Sequence, residues 1–210
     1  MGESELLPEI WEPGLNAVFV SAVVDEQSHT FGFHHLHPRD RFWELLEISS
    51  ITPARIISAG ERKALADGHA KGNVSEPVRA IFIQKKTAQV LRAGVGVTAL
   101  NRRIVAKNEK DKAAQPTRED LEEFLVRCEQ LSPKVAGFLI SPESFLELCK
   151  GRFPEAVPLP GLQPFRIGST EVWLLGSTIT MLRGEALTVQ EDTFLALGER
   201  VMVLTGKSEA

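Results

Sequence analysis

Cysteine is almost missing from this 210-residue chain. Cys128 and Cys149 are the only two, too few for a disulfide framework, a four-thiolate zinc site or a thiolate-held iron–sulfur cluster. Both read as half-buried thiols on helices. No apolar run approaches the roughly 20 residues of a membrane span, and the opening MGESELLPEI is acidic where a secretion signal is basic and then apolar. The expectation is a cytoplasmic protein with no membrane partner. A strong charge of either sign is missing as well: 24 basic and 28 acidic side chains leave a formal net charge of −4, which gives no overall footprint for nucleic acid. Basic residues gather only locally, at Arg39 and Arg41 and in the run Arg102, Arg103, Lys107, Lys110 and Lys112. DNA affinity resting on such patches falls steeply with salt. No internal repeat or low-complexity tract is visible.

What is present, 43% hydrophobic and 25% charged residues, fits one globular domain over 1–210 with a sizeable core. Leu15 to Val24, LNAVFVSAVV, is apolar and β-branched without helical spacing, which predicts a strand buried on both faces, as in parallel sheets covered by helices. It runs into Asp25 and Glu26, so acidic groups lie just past its carboxyl end, where open α/β sheets bind ligands. Ala59 to Val78 is rich in Gly, Ala and charge and reads as an insertion or mobile loop with room for one short helix. RAIFIQ reads as a brief strand, KKTAQVLRAG as a helix stopped by Gly94, and GVGVTALNRR as a Gly-punctuated loop that approaches something closely. That loop lacks the Lys and Ser/Thr of a P-loop. Thr117 to Asp120 is a capping box opening a helix through Leu121, Phe124, Leu125 and Cys128 that Pro133 closes. VAGFLIS, from Val135 to Ser141, is a second buried strand, and Ser141-Pro142 starts a helix through Leu148. FRIGS and EVWLLGS supply two last strands, and a helix from about Thr188 to Arg200 ends the fold. Strands alternating with helices predict an α/β protein, a three-layer α/β/α sandwich on a mostly parallel sheet.

The stretch with the most chemistry is Phe31 to Leu46, FGFHHLHPRDRFWELL. Asp40 is an N-cap candidate, with Phe42, Trp43, Leu45, Leu46 and Ile48 forming a buried face behind it. A His-rich loop held by an aromatic anchor suits one wall of a ligand pocket and equally an ordinary loop capping a core helix. His34, His35 and His37 raise a metal reading, but three histidines within four loop residues rarely converge on one ion without a further partner. No metal and no cofactor is expected.

Taken together, AVFV at the first strand, HPRDRFWELL after it, GVTAL with its Gly96, and IGSTEVWLL before the last loop resemble the mismatch-specific uracil-DNA and thymine-DNA glycosylase family of the uracil-DNA glycosylase superfamily. HPRDRFW is similar to the family's His-Pro-x-Asn-Arg-Phe-Trp. Order and spacing agree over most of the chain, with 59–78 as an addition. The resemblance implies a uracil-DNA glycosylase-like fold, a monomer, and hydrolysis of the bond between a damaged or mispaired base and deoxyribose in base-excision repair of double-stranded DNA. The base is flipped into a pocket because its bond is out of reach inside the stack. It places the pocket at Ser21, Val23, Phe33 and His35, His35 being the stacking ring. The DNA grip falls to Arg41, Ser177, Thr178, Leu182 and Arg183, with Leu182 as a wedge and Arg183 as a phosphate contact.

The sequence departs from the family where the chemistry belongs. The first motif is Ser21-Ala22-Val23-Val24-Asp25, with Val23 where the water-positioning Asn is expected, and valine neither orients nor deprotonates water. The second is Gly176-Ser177-Thr178-Ile179-Thr180, without its Asn and Pro, and Asp40 replaces the Asn before Arg41. The loop from AVFV to RFW is one residue longer than usual, which offers Asp25 as a substitute water activator. Three readings follow: a divergent glycosylase using Asp25, a binding module that recognises a base, nucleotide or DNA lesion without cleaving it, and a scaffold that has lost the pocket.

Overall fold

The computed structural model describes residues 6–70, 74–106, 112, 114–179 and 182–206, giving the backbone alone at 69, 70 and 103–106. Five strands form one sheet in the order β2-β1-β3-β5-β4. β1 (Ala17–Asp25) pairs in parallel with β2 (Val95–Ala106) on one side and β3 (Val135–Leu139) on the other, β3 pairs in parallel with β5 (Thr170–Leu174), and only β4 (Gly161–Ile167) runs antiparallel, as a hairpin with β5. The predicted three-layer α/β/α sandwich on a mostly parallel sheet is the architecture found.

Alternation along β1 divides the core. Ala17 and Phe19 face a cluster with Phe42, Trp43, Leu45 and Leu46 of α2 (Phe42–Ile48), Val90 of α4 (Glu76–Arg92), and Phe194, Leu197 and Val201 of α7 (Glu185–Leu204). Val18 and Val20 face the opposite layer, Leu121, Phe124, Leu125 and Cys128 of α5 (Arg118–Leu131) with Phe145, Leu148 and Cys149 of α6 (Pro142–Cys149). Period two in a strand covered on both sides makes every β1 residue in this stretch a core residue. Cys128 and Cys149 are buried rather than half-buried, and burial pushes their thiols up to about 11 and about 12. They are inert packing groups.

Three local expectations are corrected. The segment expected to be an insertion loop carries a helix, α3 (Ala59–Ala70), which starts on a reciprocal capping box: Ser58 Oγ accepts from Glu61 N–H at 3.1 Å and Glu61 accepts from Ser58 N–H at 2.7 Å. RAIFIQ is no strand. It lies within α4, where Pro77 occupies the first turn and Ile81 is exposed while Phe82 and Ile83 pack on the core edge. Of three adjacent apolar residues on a helix, one faces solvent and two face the core edge. GVGVTALNRR belongs to β2, an edge strand. The close approach expected of its glycine holds, since a Cβ on Gly96 would lie 2.9 Å from the Ile10 carbonyl oxygen. Gly94, at φ 74°, ends α4 as expected.

The helix after the His-rich loop starts one residue later than expected. Arg41 holds the N-cap position and makes no side-chain cap bond, while Asp40 Oδ1 accepts the Phe42 N–H at 2.9 Å. The five-residue strand β3 and helices α5 and α6 follow their sequence signals, the Thr117–Asp120 capping box and Ser141 cap included.

Candidate ligand-binding crevice

β1 connects outward to β2 on one side, and the chain then crosses back to β3 on the other, so the sheet order reverses between β1 and β3. Ligands of open α/β sheets sit outside the carboxyl ends of the strands at such a point. β3 stops at Leu139, opposite Ser21 of β1. Beyond that pair β1 continues alone on this side, and the chain turns away at Ser141-Pro142 into α6. The parting strands leave a hollow of about 410 Å³ lined by Ser21, Ala22, Val23, Gln115, Leu139, Ile140, Ser141, Ser144, Ser177 and Ile179. Asn101 reaches across from β2 to the Ala114 carbonyl at 2.9 Å and steadies the loop that carries Gln115.

The hollow is flanked by two others. One, of about 530 Å³, shares Ser141 and Ser177 with it and is largely apolar, with Leu175, Leu182, Ala186 and Val189. The other, of about 550 Å³, shares Gln115 and Ser144 and carries Arg118, Glu147 and Lys150. Together they make one crevice along the sheet's carboxyl edge. Four serine hydroxyls and one amide serve its centre, and among the described residues no acid, base or imidazole lines that central hollow. Each hydroxyl both donates and accepts, which suits the mixed hydrogen-bonding edge of a neutral ring. The Ser21 hydroxyl donates to the Val23 carbonyl at 3.1 Å, and the Ser141 and Ser144 hydroxyls lie 3.1 Å apart.

Asp25 is not in the crevice. It is the N-cap of α1 (Glu26–Phe31): Oδ1 accepts from Gln27 N–H at 3.1 Å and Ser28 N–H at 3.0 Å, and Oδ2 accepts from the Ser28 hydroxyl at 2.5 Å. Both oxygens, expected to serve an attacking water, are engaged in starting a helix. No local pattern announces this role, because Asp25 closes a strand and opens a helix at once.

His35 and Phe33 also lie elsewhere. Phe33 is core, stacked on Trp43 at 5.8 Å. His35 is 6% exposed and stacks on Phe42 at 4.0 Å, so its ring faces a protein neighbour instead of a base. Its backbone holds φ 57°, uncommon for a residue with a Cβ. His35 Nδ1 is 2.7 Å from Asp40 Oδ2. Burial raises the Asp40 carboxyl, but the facing His35, hydrogen bonds from His35 and Thr178, and the Phe42 N–H outweigh it and hold its pKa below the usual carboxylate range. The ionised carboxylate only accepts, so His35 Nδ1 carries the hydrogen. Among the described residues, His35 Nε2 is buried without a hydrogen-bond partner.

The other histidines diverge. His34 donates from Nε2 to the Pro8 carbonyl at 2.9 Å, and burial, with His35 beside it, brings its pKa down to about 3. His37 Nδ1 accepts from Arg39 N–H at 3.2 Å. Among the described residues no three His, Cys, Asp or Glu side chains gather where they could hold a metal.

Of the residues expected to grip DNA, Ser177 lines the central and apolar hollows and Leu182 the apolar one, while Arg183 is exposed on the same loop. Thr178 is buried. Besides its contact to Asp40, its carbonyl accepts from Arg41 N–H at 3.0 Å, and Gln190 Nε2 donates to the Ser177 carbonyl at 3.0 Å. The loop after β5 is thus anchored on both sides. The Arg41 guanidinium pairs with Glu191 at 2.6 Å. Thr180, Lys107 and Lys110 lie outside the described residues, as does the side chain of Arg103. Sequence reasoning missed Gln115, Ser141, Ser144 and Ile179 as crevice residues. The signal for Ser141 was available: a Ser-Pro helix start directly after a buried strand marks the carboxyl edge of the sheet.

No protein-family model matches the chain. Fold and hollow together define an open, doubly wound α/β protein with a crevice at its strand-order reversal.

Proposed function

We propose that this chain is a binding module of the uracil-DNA glycosylase type that takes a nucleobase-bearing ligand, a base, nucleotide or DNA lesion, into the crevice between β1 and β3 without hydrolysing it. The observation that carries the reading is Val23 in the wall of a hollow whose described residues offer hydroxyls and an amide but no acid or base. Hydrolysis of a base–sugar bond requires a group that orients or deprotonates water. Asp25 would have to abandon three hydrogen bonds and the start of α1 to serve. Recognition requires less: a slot of a few hundred Å³ with apolar walls and a few convergent polar groups, which this crevice provides. The sequence resemblance supplies the ligand class.

The test is a calorimetric titration with 2′-deoxyuridine, thymidine, 2′-deoxyadenosine and 2′-deoxyguanosine. Saturable binding of at least one is expected, and Ile179→Trp, which fills the hollow, abolishes it while circular dichroism stays unchanged. Absence of binding to all four, or binding indifferent to Ile179→Trp, contradicts the reading.

A further inference from the structure

Among the described lining residues, the hollow that shares Gln115 and Ser144 with the centre differs from the other two hollows of the crevice in containing cations. Arg118, the first residue of α5, has no carboxylate within ion-pair distance among the described residues. Its guanidinium is held from behind by a hydrogen bond to the Lys150 carbonyl. It lies against Gly151, whose φ of 79° and missing side chain leave room: a Cβ there would stand 3.0 Å from the guanidinium nitrogen. An arginine oriented by backbone on one side keeps further N–H groups for a forked contact on the other. Lys150 is less available, because its ammonium stands 3.9 Å from the Glu147 carboxylate. Arg118 is the seated cation, and Lys150 offsets Glu147.

We infer that the crevice takes a mononucleotide, its base in the serine-lined centre and its phosphate on Arg118 past Gln115 and Ser144. This rests on the proposed function and names the ligand more closely. A longer polyanion fits less well. Glu147 lies in the hollow at one end of the crevice and Glu185 in the hollow at the other, so a strand continuing in either direction meets a carboxylate, on a chain of net charge −4. A single phosphate meets one seated arginine and stops there.

The experiment compares the four deoxynucleosides with their 5′-monophosphates and with a 12-nucleotide single strand, using the whole chain, its Arg118→Gln variant and its Arg118→Lys variant. The monophosphate is expected to bind about tenfold more tightly than its nucleoside, an ordinary effect for a charge-assisted contact. Arg118→Gln removes that difference, and Arg118→Lys restores part of it. Nucleoside binding with no gain from phosphate, or a gain that survives Arg118→Gln, overturns the inference and leaves the proposed function standing. A single strand that binds more tightly per chain than the monophosphate also overturns it. Failure of nucleosides and monophosphates alike removes both.

Discussion

At the scale of single residues, the same side-chain types do different work from that read in the sequence, and the cause is local geometry. Asp25 was legible as acidic and close to the carboxyl edge, but not as a cap, because the six-residue helix it starts has no apolar periodicity to announce it. Asp25→Ala is expected to cost about 1 kcal/mol of stability, the usual worth of a lost N-cap, in chemical denaturation. It leaves nucleoside affinity unchanged, whereas a loss of affinity without loss of stability would return Asp25 to the site. His34 sets an acid sensitivity. Its folded-state pKa of about 3 lies below the ordinary 6.5, so the unfolded chain takes up the proton first as pH falls. Stability drops between pH 6.5 and about 3, by about 1.4 kcal/mol per pH unit. His34→Gln removes this slope, and denaturation midpoints for both proteins from pH 7 to pH 5 check it.

At the scale of elements, the strands and helices with strong periodicity or caps were readable: β1, β3, α5 and α6 follow from buried β-branched runs, a capping box and Ser-Pro. Misreadings arose where one signal outweighed another. In α4 an apolar triplet masked helical continuity, and at α3 glycine and charge masked the Ser58–Glu61 box. The position of α2 against α7 was not legible, since it depends on one missing methyl group. The Ser49 carbonyl at the end of α2 enters the space of Gly198, where a Cβ would lie 1.9 Å from it. Gly198→Ala is expected to destabilise by about 3 kcal/mol, the upper range for overpacking, seen as a lowered melting temperature. A neutral result would mean that α2 and α7 slide apart at little cost. α7 also carries Gln190, which holds the Ser177 carbonyl, so the same substitution weakens nucleoside binding in what remains folded.

At the scale of the whole molecule, the fold class was legible and the contents of the crevice only half so. Alternating strands and helices dictate a covered parallel sheet, and a covered parallel sheet dictates where its crevice opens. Ser21 and Val23 fall there because they lie on β1 where its pairing with β3 ends, and Ser177 and Leu182 because they lie on the loop that follows β5. His35 and Phe33 do not, because the aromatic face of α2 draws them into the core through Phe42 and Trp43. Which loop residues complete the wall depends on tertiary anchors such as Asn101 to Ala114, which no local pattern displays.

The central claim is that this crevice recognises without hydrolysing. Its most direct test is incubation of the protein, in excess over substrate, with duplexes carrying uracil, hypoxanthine, xanthine or a G·T mismatch, followed by alkaline cleavage at abasic sites. The account predicts no strand breaks above the protein-free control on any of the four. Breaks that accumulate with time on any duplex and disappear with Asp25→Ala would contradict it.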